Sequence, residues 1–180
     1  NAITSIITNQ NTGILSVEDC EFMNNAGSTL MTSLIYNLGN LTVENAKFIG
    51  NTLGMGSIWN ANLGNAKINN CEFKNNKLSQ TNYQSSAILI ESGVNVLIEN
   101  SIFENNANAD SIEVQSAVKL QNVTTSGNQS YSGTVETITG TAELKSTSGN
   151  ISFGNPVTLG VPTSVTTSTA SGIILFGNSA

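Results

Sequence analysis

Leu41-Thr42-Val43-Glu44-Asn45-Ala46-Lys47-Phe48-Ile49-Gly50-Asn51 is the stretch from which the fold can be read. Leu41 and Val43 alternate with Thr42 and Glu44, and beyond Asn45, Ala46 and Phe48 alternate with Lys47. Period-two alternation marks a strand with one buried face. Two such runs separated by a single residue cannot be a hairpin, whose turn needs more than one. They can be one strand bent at a corner. Asn suits that corner because it tolerates the left-handed backbone conformation better than most residues.

The same chemistry returns along the chain. Upstream stands Leu15–Asn25; downstream stand Ala66–Asn76 and Val96–Asn106, then a worn copy at Val118–Asn128. Phe22, Phe48, Phe73 and Phe103 fall 26, 25 and 30 residues apart, a period that signals a solenoid, propeller or array. A third apolar run precedes each copy, at Ser33–Tyr36, Ser57–Trp59, Ala87–Ile90 and Ser111–Val114. Three short strands and three turns make one coil of a parallel β-helix. The fold class expected is therefore all-β, a right-handed parallel β-helix of about seven coils, some 34 Å long at about 4.8 Å per coil. No coil can bury its apolar face alone, so each depends on its neighbours.

The columns follow from that alignment. Val17, Val43, Ile68, Ile98, Leu120 and Leu144 form an inward aliphatic column. Asp19, Asn45, Asn70, Asn100, Asn122 and Ser146 form the corner column, in which Asn45, Asn70, Asn100 and Asn122 are expected to ladder through their side-chain amides. A second Asn column is Asn25, Asn51, Asn76, Asn106 and Asn128. Extra length enters at 26–32, 50–56 and 77–86, always after the Phe strand, on the edge where solenoids carry binding surfaces. Residues 1–160 are expected to be the β-helix. Residues 161–180 are expected to be a Thr/Ser-rich linker followed by the apolar strand Ile173–Phe176.

Composition narrows the function. Charged residues are 10% of the 180, with no Arg and no His, and the net charge is −6. That balance disfavours nucleic acid and anionic membranes as partners. No run is long and apolar enough to insert in a bilayer. The chain begins at Asn1 rather than Met, so a processed or excised piece is expected.

Candidate chemistry is sparse, and no catalytic, cofactor-binding or metal residue is expected. Cys20 and Cys71 share an inward column two coils apart, about 9.6 Å, beyond the reach of a disulfide. Free thiols are expected. Glu18 and Glu44 neighbour each other on the outer face, with Glu99 further along. Their spacing of about 5 Å matches that of retaining glycosidases, and a solvated strand face is the plainer reading. Glu21, Lys47 and Glu72 alternate in sign across successive coils, as cross-strand pairs do. Tyr36 and Trp59, beside Asn37 and Asn60, can hold a sugar or cover a strand end. Asn40, Asn122, Asn128 and Asn150 head candidate N-glycosylation sequons.

The Phe-x-x-Asn tetrads at 22–25, 48–51, 73–76 and 103–106 resemble those of polymorphic outer-membrane proteins and related adhesin-like proteins. In that family a Gly-Gly-Ala-Ile/Leu/Val tetrad alternates with them. Here its places read Thr32–Ile35, Gly56–Trp59 and Ser86–Leu89, a degenerate form. The resemblance covers about residues 14–128 and implies a secreted β-helix used in adhesion or surface structure. The function expected is an extracellular structural or adhesive surface protein that stacks head to tail with itself into a filament. The alternatives are a glycan- or host-protein-binding module of a longer adhesin and a carbohydrate-active enzyme.

Overall fold

The computed structural model describes residues 4–27, 31–61, 64–79, 85–91, 96–106, 110–114, 117–125, 127–138, 140–168 and 172–177. Its strand pairings are all parallel. One sheet stacks eight strands: Thr4–Asn9, Thr32–Asn37, Ile58–Asn60, Ser85–Ile90, Asp110–Val114, Gln129–Tyr131, Ile151–Phe153 and Ile174–Phe176. A 12-stranded sheet takes the two halves of the bent strand, from Ile14–Glu18 and Glu21–Met23 through to Val157–Leu159 and Thr163–Thr167. Thr52–Leu53 and Lys77–Leu78 form a third, two-stranded sheet. The chain is a right-handed parallel β-helix of about the expected number of coils.

The bend between the two halves is a single left-handed residue. Asp19, Asn45, Asn70, Asn100 and Asn122 have φ of 51°, 53°, 52°, 49° and 50°. Short polar side chains enter this region at least cost among non-glycine residues. A second left-handed position follows each Phe strand, at Asn24, Asn75 and Asn105, and Gly50 takes it in the second coil with φ of 68°.

Flat side chains repeat in register and therefore stack. Phe22 lies on Phe48, Phe48 on Phe73 and Phe73 on Phe103, with centroids 5.0, 4.6 and 4.7 Å apart and rings within 4° of parallel. The column then passes to Thr125, Ser146 and Thr167. Across the interior, Asn9, Asn37 and Asn60 give way to Ile90, Val114, Tyr131, Phe153 and Phe176. As the rings leave one wall they enter the other, so the cross-section stays filled. Density in a protein interior requires such compensation. Gln129 replaces an Ile in the buried column between Ile112 and Ile151. It is satisfied there: its Nε2 donates to Thr125 Oγ1 and Lys145 O, and its Oε1 accepts from the Tyr131 hydroxyl at 2.9 Å.

Three expectations change. Leu144 lies beside Val123 and not Leu120, whose partner is Thr137. Ser146 accordingly joins the Phe column beside Thr125 and not the Asn corner. The cause is a wider corner: Thr137 and Leu144 are seven residues apart where their partners Leu120 and Val123 are three. Next, Thr163–Thr167 is a strand paired over its whole length with Ala142–Ser146, so this part of the expected linker is a layer of the stack. Ile174–Phe176 then pairs with Ile151–Phe153. The first strand of the stack is Thr4–Asn9. Last, the insert at 50–56 is no free loop: Leu53, Met55 and Gly56 are buried, and Met55 packs with Tyr36, Trp59 and Leu89 over the outside of the eight-stranded sheet. Residues 28–30 and 80–84 of the other two inserts lie outside the described residues.

Candidate functional site

The most ordered polar feature is interior. The backbone N–H and Nδ2 of Asn25 both donate to Asn51 Oδ1, at 3.0 and 2.9 Å. Asn51 does the same to Asn76 Oδ1, at 3.1 and 2.9 Å, and Asn76 to Asn106 Oδ1, at 3.0 and 3.0 Å. Each Nδ2 from Asn51 onward also donates to the carbonyl of the Phe in the preceding coil, Phe22, Phe48 and Phe73 in turn. Asn51 and Asn76 are fully buried. Buried amides are tolerated because donors and acceptors are matched. Asn128, placed in this column from its spacing, is exposed and accepts instead from the Asn150 N–H.

A second buried amide column, not foreseen, runs Asn9 to Asn37 to Asn60, each Nδ2 donating to the next Oδ1. Its signal was available: these residues share one register position on successive strands. From sequence Asn37 and Asn60 stand out only as neighbours of Tyr36 and Trp59. Those two rings lie 4.5 Å apart and are 8% and 4% exposed, so they are no sugar platform.

At the corner, Asn70 donates to Asn45 at 2.8 Å and Asn122 to Asn100 at 3.2 Å. Between these pairs Asn100 donates to Asn69 Oδ1, not to Asn70. This ladder is exposed and stepped, where the interior ones are continuous.

The carboxylates sit on the outer face. Glu18 and Glu44 are register partners. Ser16 Oγ donates to Glu18 Oε1 at 2.6 Å, and Asn69 Nδ2 to Glu44 Oε1 at 2.9 Å. These are lateral contacts between neighbouring side chains of one sheet. Lys47 meets Glu21 at 2.8 Å, and Lys74 meets Glu72 at 2.6 Å and Glu104 at 3.3 Å. Hydrogen bonding to those carboxylates raises both lysines' pKa. The two thiols are free, Cys71 buried and Cys20 half-buried. Burial raises the Cys71 thiol's pKa, which makes it less reactive. Among the described residues no group of three or more His, Cys, Asp or Glu is placed to hold a metal ion. No helix there is long and apolar enough to cross a membrane.

A groove of about 550 Å³ runs along the outer face of the 12-stranded sheet, lined by Asn40, Thr42, Asn65, Lys67, Leu97 and Lys119 among others. Glu18 and Glu44 do not line it. Lys119 pairs with Glu136 at 3.4 Å, while Lys67 has no ion pair among the described residues. Of the sequon residues, Asn40, Asn122 and Asn128 are exposed and Asn150 is half-buried. Asn40 and Asn122 use Oδ1 as acceptor, for Asn65 Nδ2 and the Glu143 N–H.

Among the described residues each end of the stack shows an uncovered cross-section. At one, Phe22 is half-buried and the edge strands are Thr4–Asn9, Ile14–Glu18 and Glu21–Met23. At the other, Leu159 and Phe176 are each 61% exposed. No protein-family model, curated protein or solved structure matches this chain.

Proposed function

We propose that this chain is a structural or adhesive β-helical segment of an extracellular surface protein, a rod that lengthens by end-to-end stacking of coils. The observation that carries this reading is the pair of cross-sections left uncovered by the described residues, each rimmed by edge strands. Such edges pair with further strands unless blocked, and solenoid ends otherwise require polar caps. A rod with apolar residues bare at both faces is suited to continuation. The low charge, the surface sequons and the Phe-x-x-Asn tetrads fit the outside of a cell.

The test is immunogold labelling of intact source cells with antibody raised against the purified chain. Surface or fibre labelling that protease shaving removes is the expected result. Label confined to the cell interior overturns the proposal.

A second reading, a glycan-binding module, is favoured by the groove alone. Amides, hydroxyls and the Lys67 ammonium offer hydrogen bonds to sugar hydroxyls, beside the apolar strip of Leu97. Glycan-array binding that Lys67→Ala and Leu97→Ala weaken together supports it. Binding indifferent to both places the ligand elsewhere.

A further inference from the structure

Building on the glycan-binding reading above, we infer that the groove on the 12-stranded sheet takes a linear acidic glycan laid along the rod axis, with a carboxylate on every second sugar.

The shape of the groove comes from register. Thr42, Lys67, Leu97, Lys119, Glu136 and Thr158 occupy one outward position on successive coils. Two residues earlier on these strands, Asn40, Asn65, Ala117 and Thr134 make a second outward row. The residues between the rows, such as Val96 and Val118, turn into the core. The groove between the rows therefore crosses the strands and follows the rod. Five coil steps of about 4.8 Å give it a length of about 24 Å. Its volume of about 550 Å³ is that of a small-molecule site.

The floor selects the kind of polymer. Each strand from Asn40–Glu44 to Val135–Thr137 has a paired neighbour on both sides. An extended peptide would find no free edge there for strand addition. A glycan needs none. A pyranose in an extended chain advances by about one coil spacing, and its hydroxyls call for donors and acceptors side by side. Asn65 Nδ2 donates to Asn40 Oδ1 at 2.9 Å, which leaves Asn40 Nδ2 as a donor and Asn65 Oδ1 as an acceptor. Thr134 and Thr158 add exposed hydroxyls.

Charge sets the spacing of the acids. Lys67 and Lys119 stand two coils apart, about 9.6 Å, with Leu97 between them. Lys67 has no ion pair among the described residues. Lys119 meets Glu136 at 3.4 Å, with side chains 59% and 45% exposed. Such an exposed pair contributes little, so Lys119 can also receive a ligand carboxylate. Carboxylates two sugars apart would meet the two ammonium groups, and the ring between them would lie on Leu97. A chain acidic on every sugar would set one carboxylate on Leu97, near Glu99, and the next against Glu136. That repulsion disfavours dense polyanions, nucleic acid included.

The experiment is calorimetric titration of the full chain, at low salt, with an oligosaccharide of alternating glucuronic acid and N-acetylglucosamine. Saturable binding is expected. Lys67→Ala and Lys119→Ala should each weaken it at least tenfold, and Lys77→Ala, on the third sheet, should not. All three side chains are exposed, so the variants should keep the fold. The same oligosaccharide with its carboxyls reduced to alcohols should bind at least tenfold more weakly, as should an oligogalacturonate of equal length. Equal binding of the reduced form, lost in Leu97→Ala, overturns the acidic ligand and keeps the groove as a neutral glycan site. Tighter binding of the oligogalacturonate, or binding indifferent to both lysines, overturns the inference. So does absence of binding by all three; the glycan array then decides separately whether the module reading survives.

Discussion

Replacing Asn76 with Ala tests whether the interior amide ladder holds the coils together. The side chain makes four hydrogen bonds: Nδ2 to Phe48 O at 2.8 Å and to Asn106 Oδ1 at 3.0 Å, and Oδ1 from the N–H and Nδ2 of Asn51 at 3.1 and 2.9 Å. Two groups keep a partner, since Asn51 Nδ2 also reaches Phe22 O and Asn106 Oδ1 also receives the Asn76 N–H. The Asn51 N–H does not, and it is buried. Four bonds at roughly 1 kcal/mol net each, plus about 1–3 kcal/mol for one orphaned donor, give a loss of about 5–7 kcal/mol. A solenoid need not unfold in one step, so urea melts should be joined by native-state hydrogen exchange at the Asn51 amide. That amide is expected to lose up to about four to five orders of magnitude of protection. A loss under about 1 kcal/mol with unchanged exchange at Asn51 would refute the reasoning.

Asn76→Asp sharpens the test through pH. It places a carboxylate oxygen against Phe48 O in a buried site, which raises its folded-state pKa above the unfolded value of about 3.9. The folded state then binds more protons than the unfolded one between those two pKa values. The variant should therefore be nearest to wild type below about pH 3.9 and lose stability as pH rises through the folded pKa. A deficit that grows on acidification contradicts this.

Other outcomes follow from the same columns. Phe73→Ala, between two parallel rings, should cost about 3–5 kcal/mol by urea titration; Phe22→Ala, covered on one side, should cost clearly less, and equal losses would mean the stack adds nothing. Alkylation followed by mass spectrometry should modify Cys20 in the folded chain and Cys71 only after denaturation; a native chain resisting at both would show Cys20 to be better covered than its half-burial implies. Burial raises the Tyr131 phenol far above its usual pKa, so the unfolded state loses that proton first and stability should fall above about pH 10. The decline of Tm with alkaline pH should be shallower in Tyr131→Phe, and an unchanged slope would place the effect in other groups.

The coil architecture was legible because three signals coincide on the same residues. Alternation marked the strands, the lone Asn marked the corner, and Phe-x-x-Asn set the register. Where the signals separate, reading failed. Between the strands Val135–Thr137 and Ala142–Ser146 the one-residue corner gives way to a longer connection, and Leu144 falls in the wrong aliphatic column from sequence because any aliphatic residue fits either one. The ring column Tyr131, Phe153 and Phe176 escaped notice because it lies in the other sheet from the Phe tetrads. Thr163–Thr167 was read as linker because Thr and Ser suit solvent, yet β-branched Thr also suits a strand. The covering of Tyr36 and Trp59 is not legible in the sequence because it comes from Met55, inside an insert outside the repeat pattern, and from Leu89 on the next coil.

The one-way donation of the Asn51 ladder bears on how such a gene can change length. Each rung gives to the next and receives from the last, so any two rungs are chemically interchangeable. Excising residues 46–70 would splice Asn45 to Cys71 and recreate the motif Glu-Asn-Cys-Glu-Phe, with Asn25 then donating to Asn76. Unequal recombination between repeats can thus shorten or lengthen the rod by whole coils in the Phe-bearing part without leaving an orphaned amide. Beyond Asn106, where the ladder has ended and the rings have moved to the other wall, the same event would join unlike layers. The inherited variation in length is expected to accumulate in the first half of the stack.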